Sequence, residues 1–228
     1  MKAYTINPEI IFRPYRRTDL LACTSIAVEV FPLVISRFTR EDTSRLMKIL
    51  IDGCHAISNY HELAVADGKV VGLIFGRVER KFVLIDMCQR LERALSILVR
   101  FLLGRYGSRR KLVRLMKPAL QAVKALGKNM PLSEAEVVLF AVAPEHQGVG
   151  IGCALMGRFV CHAAKYEVEA ISVPTNETAS FWFYEKYGFR KWAEYKDPLE
   201  SYLADRPIKG FTYLLLLHKA GGQELIKC

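Results

Sequence analysis

Apolar residues along this chain recur in two rhythms, one near every second position and one near every 3.6, and the switch between them marks the elements. Residues 9–13 read as a short strand that stops at Pro14. Thr18-Asp19 has the form of a helix start, and apolar positions continue to about Val30, where Pro32 closes the helix. A second helix is expected from Thr39 to about Ile57, with Leu46, Ile49 and Leu50 on one face. Leu63–Ala66 and Val70–Val78 flank Asp67-Gly68, a two-residue turn between apolar runs that predicts a β-hairpin.

From Phe82 to about Gly127 the period is helical. Leu91, Ala94, Leu95, Leu98, Phe101 and Leu102 share one face of a first helix, and Gly104 and Gly107 break it. A second helix follows with Arg110, Arg114, Lys117, Gln121 and Lys124 as a polar stripe, and Pro118 is placed to kink it. Beyond it, residues 136–142 read as a strand stopped by Pro144. A glycine-rich turn, a helix from about Gly150 to Lys165, a strand over 170–173 and a helix over 178–187 come next. Gly188 closes that helix, and residues 189–195 and 211–217 are the last strands. This alternation implies an α/β fold: a mixed sheet with helices packed on its faces, in one domain over 1–228 with a helical insertion at about 82–128.

Composition adds two facts. Hydrophobic residues are 51% of the chain, enough for a substantial core, yet no apolar stretch approaches the roughly 20 residues of a membrane span. The net charge of +10 is local: residues 81–130 hold twelve basic residues against Asp86 and Glu92, and the rest of the chain is balanced. The hairpin's expected role is structural or lid-like. Docking on an acidic partner or a membrane surface is the weaker reading, and specific nucleic-acid recognition the weakest, because only Phe82, Phe101 and Tyr106 offer rings for stacking. Residues 1–7 lack a charged-then-apolar leader, and the six cysteines form no Cys-x-x-Cys pair. Free thiols in a cytoplasmic protein are therefore expected. The five histidines form no ligand-like cluster, so no metal is expected.

The stretch most informative about chemistry is Val138-Leu139-Phe140-Ala141-Val142-Ala143-Pro144-Glu145-His146-Gln147-Gly148-Val149-Gly150-Ile151-Gly152. A strand runs into a turn with glycines at 148, 150 and 152, and the turn opens a helix. Glycines let a ligand approach the backbone, and the unpaired first amides of the helix favour an anion. A plain strand-to-helix turn is the bland alternative. A dinucleotide-binding turn fits poorly, because the third position of Gly-x-Gly-x-x-Gly is Cys153, and no Gly-Lys-Ser/Thr supports a phosphate-binding loop of that kind.

Gln147-Gly148-Val149-Gly150-Ile151-Gly152 resembles the Gln/Arg-x-x-Gly-x-Gly/Ala signature of the GNAT superfamily of N-acetyltransferases. Downstream, Phe183-Tyr184-Glu185-Lys186-Tyr187-Gly188-Phe189 resembles that family's Tyr-Glu-Lys-x-Gly-Phe block, in the right order and spacing; the likeness is strong over 134–192. It implies a mostly antiparallel central sheet with flanking helices, and that the amides of Gln147, Gly148, Val149, Gly150, Ile151, Gly152 and Cys153 bind the pyrophosphate of acetyl-CoA. It also implies that Phe140, Ala141 and Val142 pair with the pantetheine arm, and that Tyr184 protonates the leaving thiolate. A core-packing role is the alternative for Tyr184. Asn176 matches the family's pantetheine-contacting asparagine. It lies one position further from Tyr184 than the family spacing, so a helix cap is an equal reading, with Ala179 or Ser180 lining the path instead.

The activity implied is direct transfer of an acetyl group to a primary amine of a small molecule or peptide. Glu136, at the start of the strand beside the cofactor, is the candidate base, against a merely exposed strand-end carboxylate next to Glu134. Cys153 and Cys161 have no adjacent base to support a covalent acyl-enzyme. Tyr15, Phe31, Phe38 and Tyr60 are candidates to line the acceptor site, or simply core. A homodimer is left open. The rival to an enzyme is a non-catalytic acyl-CoA-binding or surface-docking protein acting through the basic insertion.

Overall fold

The computed structural model describes residues 9–31, 39–79 and 109–217. The described strands form one seven-stranded sheet: β1 (Ile10–Pro14), β2 (Tyr60–Ala66), β3 (Lys69–Val78), β4 (Ala135–Val142), β5 (Ala170–Asn176), β6 (Arg190–Lys196) and β7 (Lys209–Leu216), in the spatial order β1-β2-β3-β4-β5-β7-β6. Every neighbouring pair is antiparallel except β4 and β5. The mixed sheet expected from the sequence pattern is found, and it is mostly antiparallel, as the family likeness implied. No helix among the described residues is long and apolar enough to cross a membrane.

Alternation along the strands sends side chains to two cores. On one face, Ile74, Val137, Ile171, Val173 and Tyr213 pack against α4 (Ile151–Ala164) and α5 (Phe181–Tyr187) through Leu155, Met156, Phe159 and Tyr184. The approach is close: a Cβ on Gly76 would lie 2.2 Å from the Phe159 ring, so only glycine lets β3 pass there. On the other face, Leu73, Phe75, Leu139 and Ala141 pack against α1 (Leu20–Val30) and α2 (Arg40–Ile57).

The first helices start where short polar side chains capture free amides. Asp19 accepts the Arg16 amide at 2.8 Å and pairs with Arg13 at 2.7 Å. That guanidinium holds the Asp19 carboxyl below its ordinary range despite its burial. Thr39 and Asp42 form a reciprocal capping box at α2. The buried stripe of α2 is Met47, Ile51 and Cys54, while Leu46, Ile49 and Leu50 are only half-buried. Periodicity gave the right rhythm but a face turned by one residue, because α1 and β3 decide which side is covered.

Of the helical insertion, only the second helix lies within the described residues: α3 (Arg109–Asn129), which runs unbroken through Pro118. The pyrrolidine is buried, and this packing offsets the backbone bond that proline removes. The first helix of the expected hairpin lies outside the described residues. The carbonyl of Asn129, at the end of α3, accepts from the Thr212 hydroxyl at 2.8 Å, and Ser133 just beyond it donates to Ser172 at 2.8 Å. Thr212 and Ser172 alternate with core residues that face α4 and α5. Hence α3 lies on the same face of the sheet as α1 and α2. It also packs on β6 and on α6 (Pro198–Ala204), the helix between β6 and β7.

Candidate functional site

The sheet opens between its two parallel strands. Only Ala135↔Ile171 and Glu136↔Ser172 pair; from Val137 onward β4 is bonded to β3 alone. Register shifts between β3 and β4 at this point: Phe75 faces Leu139 and Gly76 faces Val137, leaving Val138 as the extra residue of a bulge. The freed edge of β4, residues 137–142, and residues 173–176 of β5 line a cavity of about 700 Å³. Backbone donors and acceptors along such an edge require a partner.

At one end of the cavity lies the glycine turn. Gln147 Nε2 donates to the Val142 carbonyl at 2.9 Å, which ties the turn to the strand, while the Gln147 backbone amide is already spent on the Pro144 carbonyl at 3.2 Å. Gly148 (φ +77°) and Gly150 (φ +89°) are left-handed, and a Cβ on either would meet nothing within 4 Å. Open space therefore lies over the turn, and glycine is required there by conformation rather than crowding. No side chain caps α4, and its first helical bond runs from the Ala154 amide to Gly150. The amides of Ile151, Gly152 and Cys153 are thus left for a ligand, at the positive end of the helix. Gln147, Gly148, Gly150, Gly152 and Cys153 line the cavity directly. The Val149 side chain is exposed and that of Ile151 is buried in the core, so each reaches a ligand only through its backbone.

Tyr184 lines the same cavity and is 7% exposed. Burial alone raises its hydroxyl well above the usual phenol range, so it stays protonated at neutral pH. Its neighbour Tyr187 has a buried hydroxyl with no partner among the described residues and is pushed up to about 12, chiefly by burial. A buried orphan in a cavity wall is a group that a polar ligand would satisfy. Asn176 spends its carbonyl oxygen on the turn that follows: it accepts from the Thr178 amide at 3.0 Å, the Thr178 hydroxyl at 2.7 Å and the Ala179 amide at 3.1 Å. It closes the turn ahead of α5 rather than capping that helix, whose N-cap is Ser180, and Asn176, Ala179 and Ser180 all line the cavity.

Glu136 stands elsewhere. Its carboxylate lies 2.6 Å from Arg77 on the neighbouring strand, and Glu136 is not among the residues lining the cavity. Burial raises its carboxyl, with Arg77 opposing the shift. Of the aromatic candidates for the acceptor site, Phe31 lines the cavity; Tyr15 stacks with His55 and Phe75, and Tyr60 hydrogen-bonds Glu62. Phe38 lies outside the described residues.

Two features went unread in the sequence. The first is α6, whose start carries the usual signals: Asp197 accepts from the amides of Leu199 and Glu200 at 3.0 Å each, and Pro198 occupies the first turn. The second is Glu200 on that helix, which lines the cavity and whose carboxyl is pushed up to about 7, by burial and then by Asp197. The expectation of free thiols also needs correcting at one position. Cys23, Cys54 and Cys161 are free, but Cys153 is disulfide-bonded. Among the described residues no group of His, Cys, Asp and Glu is placed to hold a metal ion.

Residues 119–191 match the family model of the acetyltransferase (GNAT) domain. Among solved structures, the fold is similar to Ard1 from Thermoplasma volcanium, with 18% identity and a TM-score of 0.53 over 92% of this chain and 99% of that one. It is similar also to the ribosomal-protein-S18-alanine N-acetyltransferase from Escherichia coli (14%, 0.54, 93% and 97%). A third is the PaiA N-acetyltransferase from Thermoplasma acidophilum, solved in complex with coenzyme A (14%, 0.52, 92% and 99%). At these identities the likeness is one of fold. A sequence search of curated proteins finds no match.

Proposed function

For a chain whose residues 119–191 match the GNAT acetyltransferase domain model, we propose acyl transfer from acetyl-CoA to a primary amine, performed in the cleft between β4 and β5. The observation that carries this reading is the early parting of the two parallel strands directly above an uncapped helix start. A CoA molecule has a pyrophosphate that suits the amides of Gly148 to Cys153; that of Gln147 is taken by Pro144. Its pantetheine arm carries two amide groups, which suit the unpaired edge at Phe140, Ala141 and Val142 like an added strand. The orphaned Tyr187 hydroxyl supplies a further polar contact in the same wall.

Tyr184 is the proposed acid. A buried phenol is a weak one, but the same low-dielectric cavity raises the proton affinity of the departing thiolate as well, so the transfer remains matched. Lys186, the cation among the cavity-lining residues, lies with its amine 4.9 Å from the Trp182 ring and suits a phosphate group. The acceptor enters on the face shared by α1, α2 and α3. Val30, Phe31, Met47 and Leu50 make that wall apolar. The helix α3 contributes no residue to the cavity lining and instead packs behind α6, which suits a structural role for this part of the insertion.

Calorimetric titration with acetyl-CoA tests the reading. Binding in the micromolar range is expected, with CoA competing; absence of heat at millimolar ligand contradicts it. A non-catalytic acyl-CoA-binding protein would bind and release no thiol with any amine.

A further inference from the structure

The cavity holds one ionisable carboxylate that the roles above leave unused. Glu200 is carried by the first turn of α6, where Asp197 caps the helix and spends Oδ1 on the Leu199 and Glu200 amides. No hydrogen bond or ion pair from a described residue holds the Glu200 carboxylate. The other acids nearby are committed. Glu136 is paired with Arg77 at 2.6 Å, and Glu185 accepts the Tyr213 hydroxyl at 2.7 Å. Among the residues lining the cavity, Glu200 is the one carboxylate and Lys186 the one permanent cation, the latter beside Trp182. A half-buried, unpaired carboxylate in a wall otherwise rich in apolar groups is costly unless a cation visits it.

Resting on the acetyl-transfer reading, we propose that Glu200 receives the ammonium of the acceptor and takes its proton, and that the acceptor is a primary amine followed by an apolar body. Val30, Phe31, Met47 and Leu50 would receive that body. The amine, as R–NH3+, gives one proton to the carboxylate. The freed lone pair forms the C–N bond to the thioester carbonyl carbon while the carbonyl π electrons move to oxygen. The carbon–sulfur bond then breaks, and sulfur leaves with its electron pair and takes a proton from Tyr184. The second proton of the nitrogen restores the tyrosine, and the proton on Glu200 goes to solvent. The products are the amide, free CoA thiol and one proton.

The electrostatics fit a base working at neutral pH. Asp197 beside it adds to the burial that lifts the Glu200 carboxyl to about 7. From α5 the ionisable neighbours lining the cavity are Lys186, Tyr184 and Tyr187; α1 and α2 present only apolar groups, and Lys117, Lys124 and Lys128 of the adjoining α3 are exposed to solvent.

The experiment compares the wild type with Glu200→Gln, Glu200→Asp and Glu136→Gln. Acetyl-CoA binding is measured first, by calorimetry. A wild type that fails to bind contradicts the acetyl-transfer reading itself. Affinity within twofold of wild type in Glu200→Gln shows that the variant is folded and its CoA site intact. Thiol release is then followed between pH 6 and 9 with three probes: phenethylamine, hexylamine and a peptide with a leucine N-terminus. Wild-type kcat/KM should rise through a pH near 7 and level off. Glu200→Gln should lose at least about 100-fold and the limb near pH 7 with it, Glu200→Asp should recover part of the rate, and Glu136→Gln should keep the wild-type profile. An unchanged profile in Glu200→Gln overturns the proposal, as does loss of the limb in Glu136→Gln instead. A wild type that binds acetyl-CoA but acetylates none of the three probes overturns it too.

Discussion

The two ends of the cavity are built from different materials. At the glycine turn almost everything offered to a ligand is backbone: the amides that open α4, the freed edge of β4, and the space over Gly148 and Gly150. At the opposite end the offering is side chains, from α1, α2 and α6, with α3 packed behind α6. Backbone geometry can serve one ligand in proteins of low identity, whereas side chains must be chosen for each acceptor. The matched segment 119–191 covers the glycine turn and Tyr184 but neither α1, α2 nor Glu200. On the proposed reading, the shared end would carry the cofactor chemistry and the individual end the specificity.

The largest test of that division is Gly150→Val. A β-branched residue at φ +89° is strained by about 1–2 kcal/mol and closes the approach to the helix start. Losing two charge-assisted amide contacts, at roughly 1.5–3 kcal/mol each, should weaken acetyl-CoA binding at least about 100-fold by calorimetry. Unchanged affinity would move the pyrophosphate away from this turn. Next is Tyr184→Phe, which should lower kcat by about 100-fold and leave acetyl-CoA affinity within twofold, since the hydroxyl acts only as sulfur leaves. A loss confined to affinity would reassign Tyr184 to packing.

A smaller effect is expected in stability. The folded-state carboxyl of Glu200 titrates near 7, above its ordinary 4.5. Its burial costs nothing at a pH where it is protonated in both states, and the cost is complete once the pH exceeds the folded value. Glu200→Gln should therefore raise the melting temperature at pH 8.5 and leave it unchanged near pH 3, well below the ordinary value. Partial exposure reduces the gain to about 1–2 kcal/mol, or roughly 2–8 °C for a chain of this size. A gain at low pH only would reverse the sign and refute the buried carboxylate. The smallest effect belongs to α3. Reversing Arg114, Lys117 and Lys124 to glutamate should change kcat/KM by less than about twofold at physiological salt, because exposed charges are screened. Liposome and nucleic-acid binding should be weak in both proteins. Tight, salt-sensitive binding that the reversal abolishes would make the helix a docking element.

What the sequence revealed follows the same division. Asp67-Gly68 and the glycines at 148 and 150 are legible because few residues tolerate those conformations, and each therefore fixes a strand end or a helix start. The strand order and the two-residue pairing of β4 with β5 are not legible, since nothing local says where one strand leaves another. Glu136 lies on the strand beside the cleft, but its partner Arg77 is 59 positions away and only the fold joins them. Glu200 was missed although Asp197-Pro198 announces its helix. A lone carboxylate on a seven-residue helix looks like any solvated glutamate until the fold sets it in the cavity wall.

The most direct measurement is a mass-resolved turnover assay: acetyl-CoA, purified protein and phenethylamine, with the amine and the free thiol quantified together. The account predicts acetylated amine and free CoA in equal amounts, with both lost in Gly150→Val and both slowed in Tyr184→Phe. Thiol release without acetylated amine, or neither product from a wild type that binds acetyl-CoA, would contradict it.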